Sequence, residues 1–374
     1  MRRLVALLLL SAALGGCSLF EPRETLEPAV APAPVARATL PPLATHVFPF
    51  DPRSDGVVGA LQETTARAED TLADLARRFN LGYDEIVRAN PGVDPWLPGE
   101  GTRILLPTQF VLPDAPPEGI VVNLAALRLF YFPKPAPGAQ RVVVTHPIGI
   151  GKVGWATPEG TTTVTSKRKD PYWTPPASVR REHAAEGDVL PARVPPGPDN
   201  PLGAHAMNLG WPSYLIHGTN KPAGVGMRAS HGCIRLYPED IAALFDEVAV
   251  GTKLRVVNQP VLYRWQGSSL YVQAYPLPEE LAGPAHGRRT ADAGANEEAT
   301  IARLWQRARP RGGTVDAELA ARVLRDRMGI ATPVSYRRLS FESYLAEARP
   351  VSNVAPEGSN QGGADPDAGA VLDR

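Results

Sequence analysis

Residues 214–235 read YLIHGTNKPAGVGMRASHGCIR, and two short segments of that stretch concentrate the chain's chemistry. The first, YLIHGT at 214–219, is an apolar run ending on His217 before Gly218, a strand end that can present an imidazole to a cleft. The second, SHGCIR at 230–235, places Cys233 sixteen positions after that histidine. Thiols attack as thiolates, and at an ordinary pKa of about 8.5 only a few per cent is ionised at neutral pH, so a reactive cysteine needs a base or a positive charge beside it. Two histidines qualify. His231 lies two residues before Cys233 and shares its face where the segment is extended, whereas His217 would act from the strand end.

Outward from this stretch, residues 119–259 are a series of short β-type runs, at 120–123, 127–132, 141–147, 160–166, 214–217 and 253–257, with turn residues between them. The pattern predicts a mainly β catalytic domain built on a mostly antiparallel sheet or sandwich. One helix is expected over 238–248, with Pro238 in its first turn, acids behind it and Gly251 past its end. Between Lys167 and Gly210 lies a long proline-rich insertion with few periodic signals, which reads as a lid over a site.

The pair of motifs, HG followed by SHGCIR, resembles the catalytic signature of the L,D-transpeptidases, the YkuD domain family. Three further stretches, PIGIGK at 147–152, WATPEG at 155–160 and DPYWTPP at 170–176, are similar to the periplasmic, LysM-bearing branch of that family in Gram-negative bacteria. The resemblance implies a YkuD-type β-sandwich, with Cys233 as the acylated nucleophile and His217 as its base. It further implies that the carbonyl of Gly218 holds the imidazole tautomer, that N–H groups around Gly232 and Cys233 face the oxyanion, and that His231 supports the site. Arg235 is a candidate to receive a substrate carboxylate in a bidentate fork, or to form a structural ion pair, and Ser230 is grouped with it as substrate-binding.

In that family the nucleophile attacks the bond between the third residue of a peptidoglycan tetrapeptide stem, a diamino acid, and the terminal D-alanine, and forms a thioester. An amine then resolves it, giving a 3-3 crosslink or attaching an outer-membrane protein to the wall. With water as acceptor the chain would be an L,D-carboxypeptidase, and a non-catalytic peptidoglycan-binding tether is the other reading. No cofactor is implied. Cys233, His217 and His231 make a poor zinc site, with no Cys-x-x-Cys and no obvious fourth ligand. A papain-like peptidase would place its cysteine before its histidine, and here the histidine comes first.

A second unit is expected over 63–107. Thr71 precedes Leu72, Leu75, Ala76 and Phe79 at helical spacing, and Asn80 and Gly82 end that helix. Ile86, Val87 and Ala89 mark a second helix, stopped by Asn90-Pro91-Gly92, and a strand follows at 102–106. Strand, helix, helix, strand resembles a LysM module, which implies binding to the N-acetylglucosamine-containing glycan of peptidoglycan.

The N-terminus has the layout of a secretory signal over 1–16, basic at its start and apolar over 4–10, too short to span a membrane permanently. Leu14-Gly15-Gly16-Cys17 resembles a lipobox, which implies lipidation of Cys17, and Ser18 behind it implies sorting to the outer membrane of the periplasm. The chain holds 2 cysteines, so lipidation of one leaves Cys233 without a disulfide partner, a reactive rather than a structural thiol. Proline crowds residues 17–62, an extended spacer from the lipid anchor. Residues 260–276 read as a β-hairpin appendix, 290–330 as helices, and 350–374, rich in Gly, Pro, Asp and Asn, as a disordered tail. Lysine plus arginine equals aspartate plus glutamate at 39 each, so no net field recommends nucleic acid as a partner.

Overall fold

Runs such as GIVVN and RLFYF are apolar on both alternating sets of positions, which calls for a sheet covered on both faces. The structure, a computed structural model, describes residues 47–53, 56–276, 290–335 and 340–353. Its central sheet has nine strands in the order β1 (Val47–Pro49), β8 (Val142–Pro147), β7 (Arg128–Phe132), β6 (Gly119–Asn123), β15 (Lys253–Val257), β10 (Gly160–Lys169), β11 (His205–Leu209), β12 (Leu215–His217) and β14 (Ile234–Arg235). Neighbours run antiparallel except β6 with β15 and β12 with β14. The mainly β reading holds, with the sheet continuous in its hydrogen bonding.

On one face, Ile120, Val122, Leu129, Met207, Ile216, Ile234 and Val256 pack with Ile241, Leu244 and Phe245 of α4 (Pro238–Glu247). On the other, Val121, Phe130, Phe132 and Val143 pack with Leu72, Leu75 and Phe79, from α1 (Leu72–Arg78) and its C-cap, and with Ile86 of α2 (Tyr83–Ala89). These helices lie between β3 (Gln62–Thr65) and β4 (Arg103–Leu106), an antiparallel pair, so the strand-helix-helix-strand order is present. Thr71 caps α1 by accepting from the Asp74 N–H at 3.1 Å while Asp74 reaches back to the Thr71 N–H, two otherwise orphaned donors satisfied at once.

The βααβ unit is fused to the sheet by a buried ion pair. Arg128 of β7 is 0% exposed; its Nε and Nη2 donate to the Glu85 carboxylate at 2.9 and 2.7 Å, and Nη2 also donates to the Asn80 carbonyl at 2.9 Å. The guanidinium lies 4.0 Å from the Phe110 ring centroid. Nearer the rim, Arg77 of α1 makes a two-pronged contact with Glu239 of α4, both bonds at 2.7 Å.

Three expectations need correcting. The spacer does not run to residue 62: β1 forms one edge of the central sheet, and β2 (Val57–Gly59) pairs with β5 (Gln109–Val111). Phe48 and Phe50 explain this, because they pack edge-on to Phe110 and Phe132 at 6.3 and 5.4 Å, and Pro49 is tolerable on an edge strand. The hairpin of β16 (Val261–Gln266) and β17 (Ser269–Ala274) is no appendix. It joins β18 (Thr332–Pro333) in a three-stranded sheet, and its Leu270, Val272 and Ala274 pack with Leu304 and Ala308 of α5 (Thr290–Ala308) and Leu319 and Val323 of α6 (Ala317–Asp326). The tail is ordered past 350. After α7 (Phe341–Ala346), β19 (Arg349–Pro350) pairs with the free edge of β3, and the Asn353 amide donates to Asp70 and to the Thr65 carbonyl. Cys17, the signal-like segment and the tail from 354 lie outside the described residues. Among the described residues no helix is long and apolar enough to cross a membrane.

Removing one partner of a buried pair leaves an uncompensated charge, at a cost of about 3–5 kcal/mol, whereas replacing both by apolar groups can be neutral. Arg128→Met and Glu85→Leu should each lower the free energy of urea unfolding by that order, and the double variant should lose less than either. Single variants unfolding like the wild-type chain would show that the pair does not hold the unit in place.

Candidate active site

The short parallel pair of β12 and β14 sets the site, with Ile216 opposite Ile234 and His217 opposite Arg235. Both isoleucines point into the core. Alternation therefore turns residues 215, 217, 233 and 235 to the other face, with Cys233 diagonal to His217 across the pair.

His217 is buried, 4% exposed, and its Nδ1 lies 2.7 Å from the Gly218 carbonyl. A carbonyl only accepts, so the ring proton sits on Nδ1 and Nε2 keeps its lone pair. This is the tautomer a base needs. Burial and the neighbouring Arg235 guanidinium push the imidazole pKa down to about 3, against the opposing pull of the Gly218 and Leu202 carbonyls.

Cys233 is a half-buried free thiol whose Sγ donates to the Ser213 carbonyl at 3.6 Å. Ser213 has a left-handed backbone, φ 69°, a strained conformation for a serine and one that clusters at functional sites. Burial pushes the thiol pKa up, while the Leu215 N–H and the Arg235 charge pull it down. The resting pair is thus neutral thiol and neutral imidazole. Among the described residues no carboxylate forms an ion pair with Arg235, and its buried Nε has no hydrogen-bond partner. Of the two readings of Arg235, the structural ion pair is the one the geometry does not provide.

Two assignments change. Ser230 is buried, and its hydroxyl donates to the Cys233 carbonyl at 2.7 Å while accepting from the Gly232 N–H at 3.2 Å. It shapes the cysteine loop rather than facing substrate, and it occupies the Gly232 N–H that was expected to serve the oxyanion. Gly232 is needed for its backbone, at φ 103°, and because a Cβ there would meet the Tyr214 ring at 2.9 Å. Its carbonyl accepts from the Thr157 hydroxyl at 2.8 Å.

His231 packs against the long insertion. Its Nε2 lies 3.1 Å from Glu182 of α3 (Ala177–Ala185), the helix of the long insertion, and Trp155 stands edge-on to its ring at 4.8 Å. Glu182 also binds Lys152. Hydrogen bonding to Lys152 lowers the Glu182 carboxyl pKa, helped by the nearby His231. Sequence reasoning missed Glu182 and Ser213, since neither lies in a motif. Nothing in the WATPEG stretch reveals that Trp155 meets His231. His146 is buried 3.2 Å from Asp240 at the start of α4.

The model of the L,D-transpeptidase catalytic domain, YkuD, matches residues 117–257. "Probable L,D-transpeptidase YcfS" of Escherichia coli (strain K12) is 42% identical over 247 residues, 64% of this chain and 76% of that protein. "Probable L,D-transpeptidase ErfK/SrfK" of Salmonella typhimurium (strain LT2) is 44% identical over 219 residues, 58% of this chain and 69% of that protein. Among solved structures, the catalytic domain of an Enterococcus faecium L,D-transpeptidase is 25% identical, with 39% of this chain and 100% of that chain covered at a TM-score of 0.28.

The depressed His217 pKa has a thermodynamic signature. Unfolded, the imidazole titrates near 6.5; folded, near 3; so between those values the unfolded chain takes up a proton that the folded chain refuses. Stability should fall as pH drops through that window, and at pH 5 the contribution is about 2 kcal/mol at roughly 1.36 kcal/mol per unit. His217→Asn should remove that part of the slope in urea unfolding measured at pH 7 and pH 5. An unchanged slope would mean that the imidazole is not held neutral.

Proposed function

Because this chain belongs to the L,D-transpeptidase family, we propose that it cuts and rejoins stem peptides of peptidoglycan through a thioester on Cys233. The observation that carries this reading is the Nδ1 contact of His217 with Gly218, which leaves Nε2 as acceptor on the face that also bears Cys233. Cys233 Sγ attacks the carbonyl carbon of the third stem residue as His217 Nε2 takes the thiol proton. The carbon–nitrogen bond to D-alanine then breaks, the proton passes to the leaving amine, and the thioester remains. An amine of another stem or of an outer-membrane protein attacks next, giving up its proton to His217 and returning the sulfur as leaving group.

Arg235 is the group we assign to a substrate carboxylate. Its charge holds His217 low and favours the thiolate, so it helps one partner and opposes the other. A carboxylate paired with the guanidinium would cancel that field and make the imidazole a stronger base once substrate is bound. With the Gly232 N–H engaged, the Cys233 N–H is the donor we assign to the oxyanion.

The βααβ unit we assign to glycan binding in the manner of a LysM module. The loop after α2 presents Trp96 and Leu97 at 61% and 76% exposure, an apolar surface on which a sugar ring can stack. Cys17 we assign to a lipid anchor in the outer membrane, facing the periplasm.

For the chemistry, intact-protein mass is followed after mixing with a tetrapeptide stem or a carbapenem. Cys233→Ala should abolish acylation, and His217→Ala should slow it by roughly 10²–10⁴, as for loss of a general base. Acylation that survives Cys233→Ala would end this reading. The two attachments separate by assay: Cys17→Ala should abolish metabolic labelling with a palmitate analogue, and Trp96→Ala should reduce co-sedimentation with purified sacculi. Unchanged labelling would refute the anchor, and unchanged sedimentation the glycan site.

A further inference from the structure

The chain between His217 and Cys233 is not a free loop. After a single 3₁₀ turn at Pro222–Gly224, it runs against the turn that joins α1 to α2 in the βααβ unit. The Tyr83 N–H donates to the Val225 carbonyl at 3.1 Å and the Asp84 N–H to the Gly226 carbonyl at 3.3 Å. The two backbones touch: a Cβ on Gly226 would lie 2.2 Å from the Gly82 Cα, and one on Gly82 would lie 2.6 Å from the Gly226 Cα. On its other side, β9 (Ile150–Gly151) pairs with β13 (Arg228–Ser230), and the Ile150 N–H donates to the Met227 carbonyl at 3.1 Å. Val225 between them is 0% exposed.

The turn itself is anchored from three directions. The Asn80 amide donates to the Thr145 carbonyl at 2.9 Å, the Tyr237 hydroxyl donates to the Leu81 carbonyl at 3.1 Å, and Glu85 holds Arg128. The clamped segment then passes directly to the chemistry. A Cβ on Gly224 would lie 3.6 Å from the Arg235 guanidinium, whose charge acts on both His217 and Cys233, and Ser230 at the segment's end bonds the Cys233 carbonyl.

We propose that the 82–84 turn of the βααβ unit is a positioning element of the active site, clamping Val225 and Gly226 so that Cys233 and Arg235 keep their places against His217. This rests on Cys233 being the nucleophile, and it gives the unit a part in the chemistry that is separate from any glycan it holds. Tyr83, Gly82 and Gly226 act through the loop and touch no reacting atom.

The test exploits the place of Tyr83 as the first residue of α2, where proline is at home, behind Gly82 at φ −83° and ψ 157°, a conformation allowed before proline. Tyr83→Pro therefore deletes one N–H while leaving the helix; Tyr83→Ala loses the same ring and keeps the N–H. In the full chain, carbapenem acylation and the pH midpoint of Cys233 alkylation by iodoacetamide are measured for both, with Leu75→Ala as a variant that weakens the unit's core while keeping both N–H donors to the loop. Tyr83→Pro should acylate roughly five- to tenfold more slowly than Tyr83→Ala and shift the alkylation midpoint, and Leu75→Ala should do neither while folded. Equal rates and midpoints for the two Tyr83 variants, or equal slowing by Leu75→Ala, would overturn the proposal. Should Tyr83→Pro not fold, Gly82→Ala, which wedges the turns apart, is read in the same two assays, with an unchanged rate and midpoint again overturning it. A wild-type chain that takes up no carbapenem would instead count against Cys233 as the nucleophile.

Discussion

A parallel pairing only two residues long, His217 with Arg235 and Ile216 with Ile234, is the constraint on which the site depends. Parallel neighbours cannot be joined by a tight turn; they need a crossover of about a dozen residues or more. The sixteen positions from His217 to Cys233 are that crossover, and their glycines and proline suit a path packed backbone to backbone against other elements. Both isoleucines must be buried for the register to hold, which turns the imidazole, the thiol and the guanidinium together to the opposite face.

Crowding three polar groups at a half-buried strand end has an electrostatic consequence. Desolvation disfavours the imidazolium and the thiolate alike, and Arg235 can relieve only the second. The resting site is therefore chemically quiet, with the proton on sulfur. A free thiol kept mostly protonated is less exposed to oxidation than a standing thiolate would be. Among the described residues the same arrangement leaves Arg235 without a carboxylate partner.

Much of this was legible in order along the chain. HG and SHGC stand out through their resemblance to the L,D-transpeptidase signature, and the helices of 63–107 follow from spacing and stop residues. What escaped notice depends on contacts between distant positions. Arg128 in RLFYF reads as a charge on a strand and Glu85 in YDEIVR as an acid in the first turn of a helix; nothing local says that they meet across 43 positions in the dry interior. Glu182 lies in an insertion without periodicity, and only the folded helix brings it to His231. Ser230 and Gly232 are legible as motif residues, but sequence does not reveal that the serine hydroxyl turns back onto its own loop. The strand at 47–49 was hidden by proline, which is compatible with an edge strand as well as with a spacer.

The deepest consequence concerns what a domain is here. Sequence divides the chain near 107–119, yet the sheet face opposite α4, to which the site residues turn, is the face that α1 and α2 seal. Taking the βααβ unit away would expose Val121, Phe130 and Val143 together with a charged Arg128, so the unit is one wall of the same core. A binding module on a flexible linker raises only the local concentration of its target. One built into the wall of the core moves with the thiol as a rigid partner, and a sugar held on it would lie at a fixed offset from Cys233. On the proposed glycan-binding reading, a unit so fixed would favour stem peptides that hang at the matching distance from the sugar.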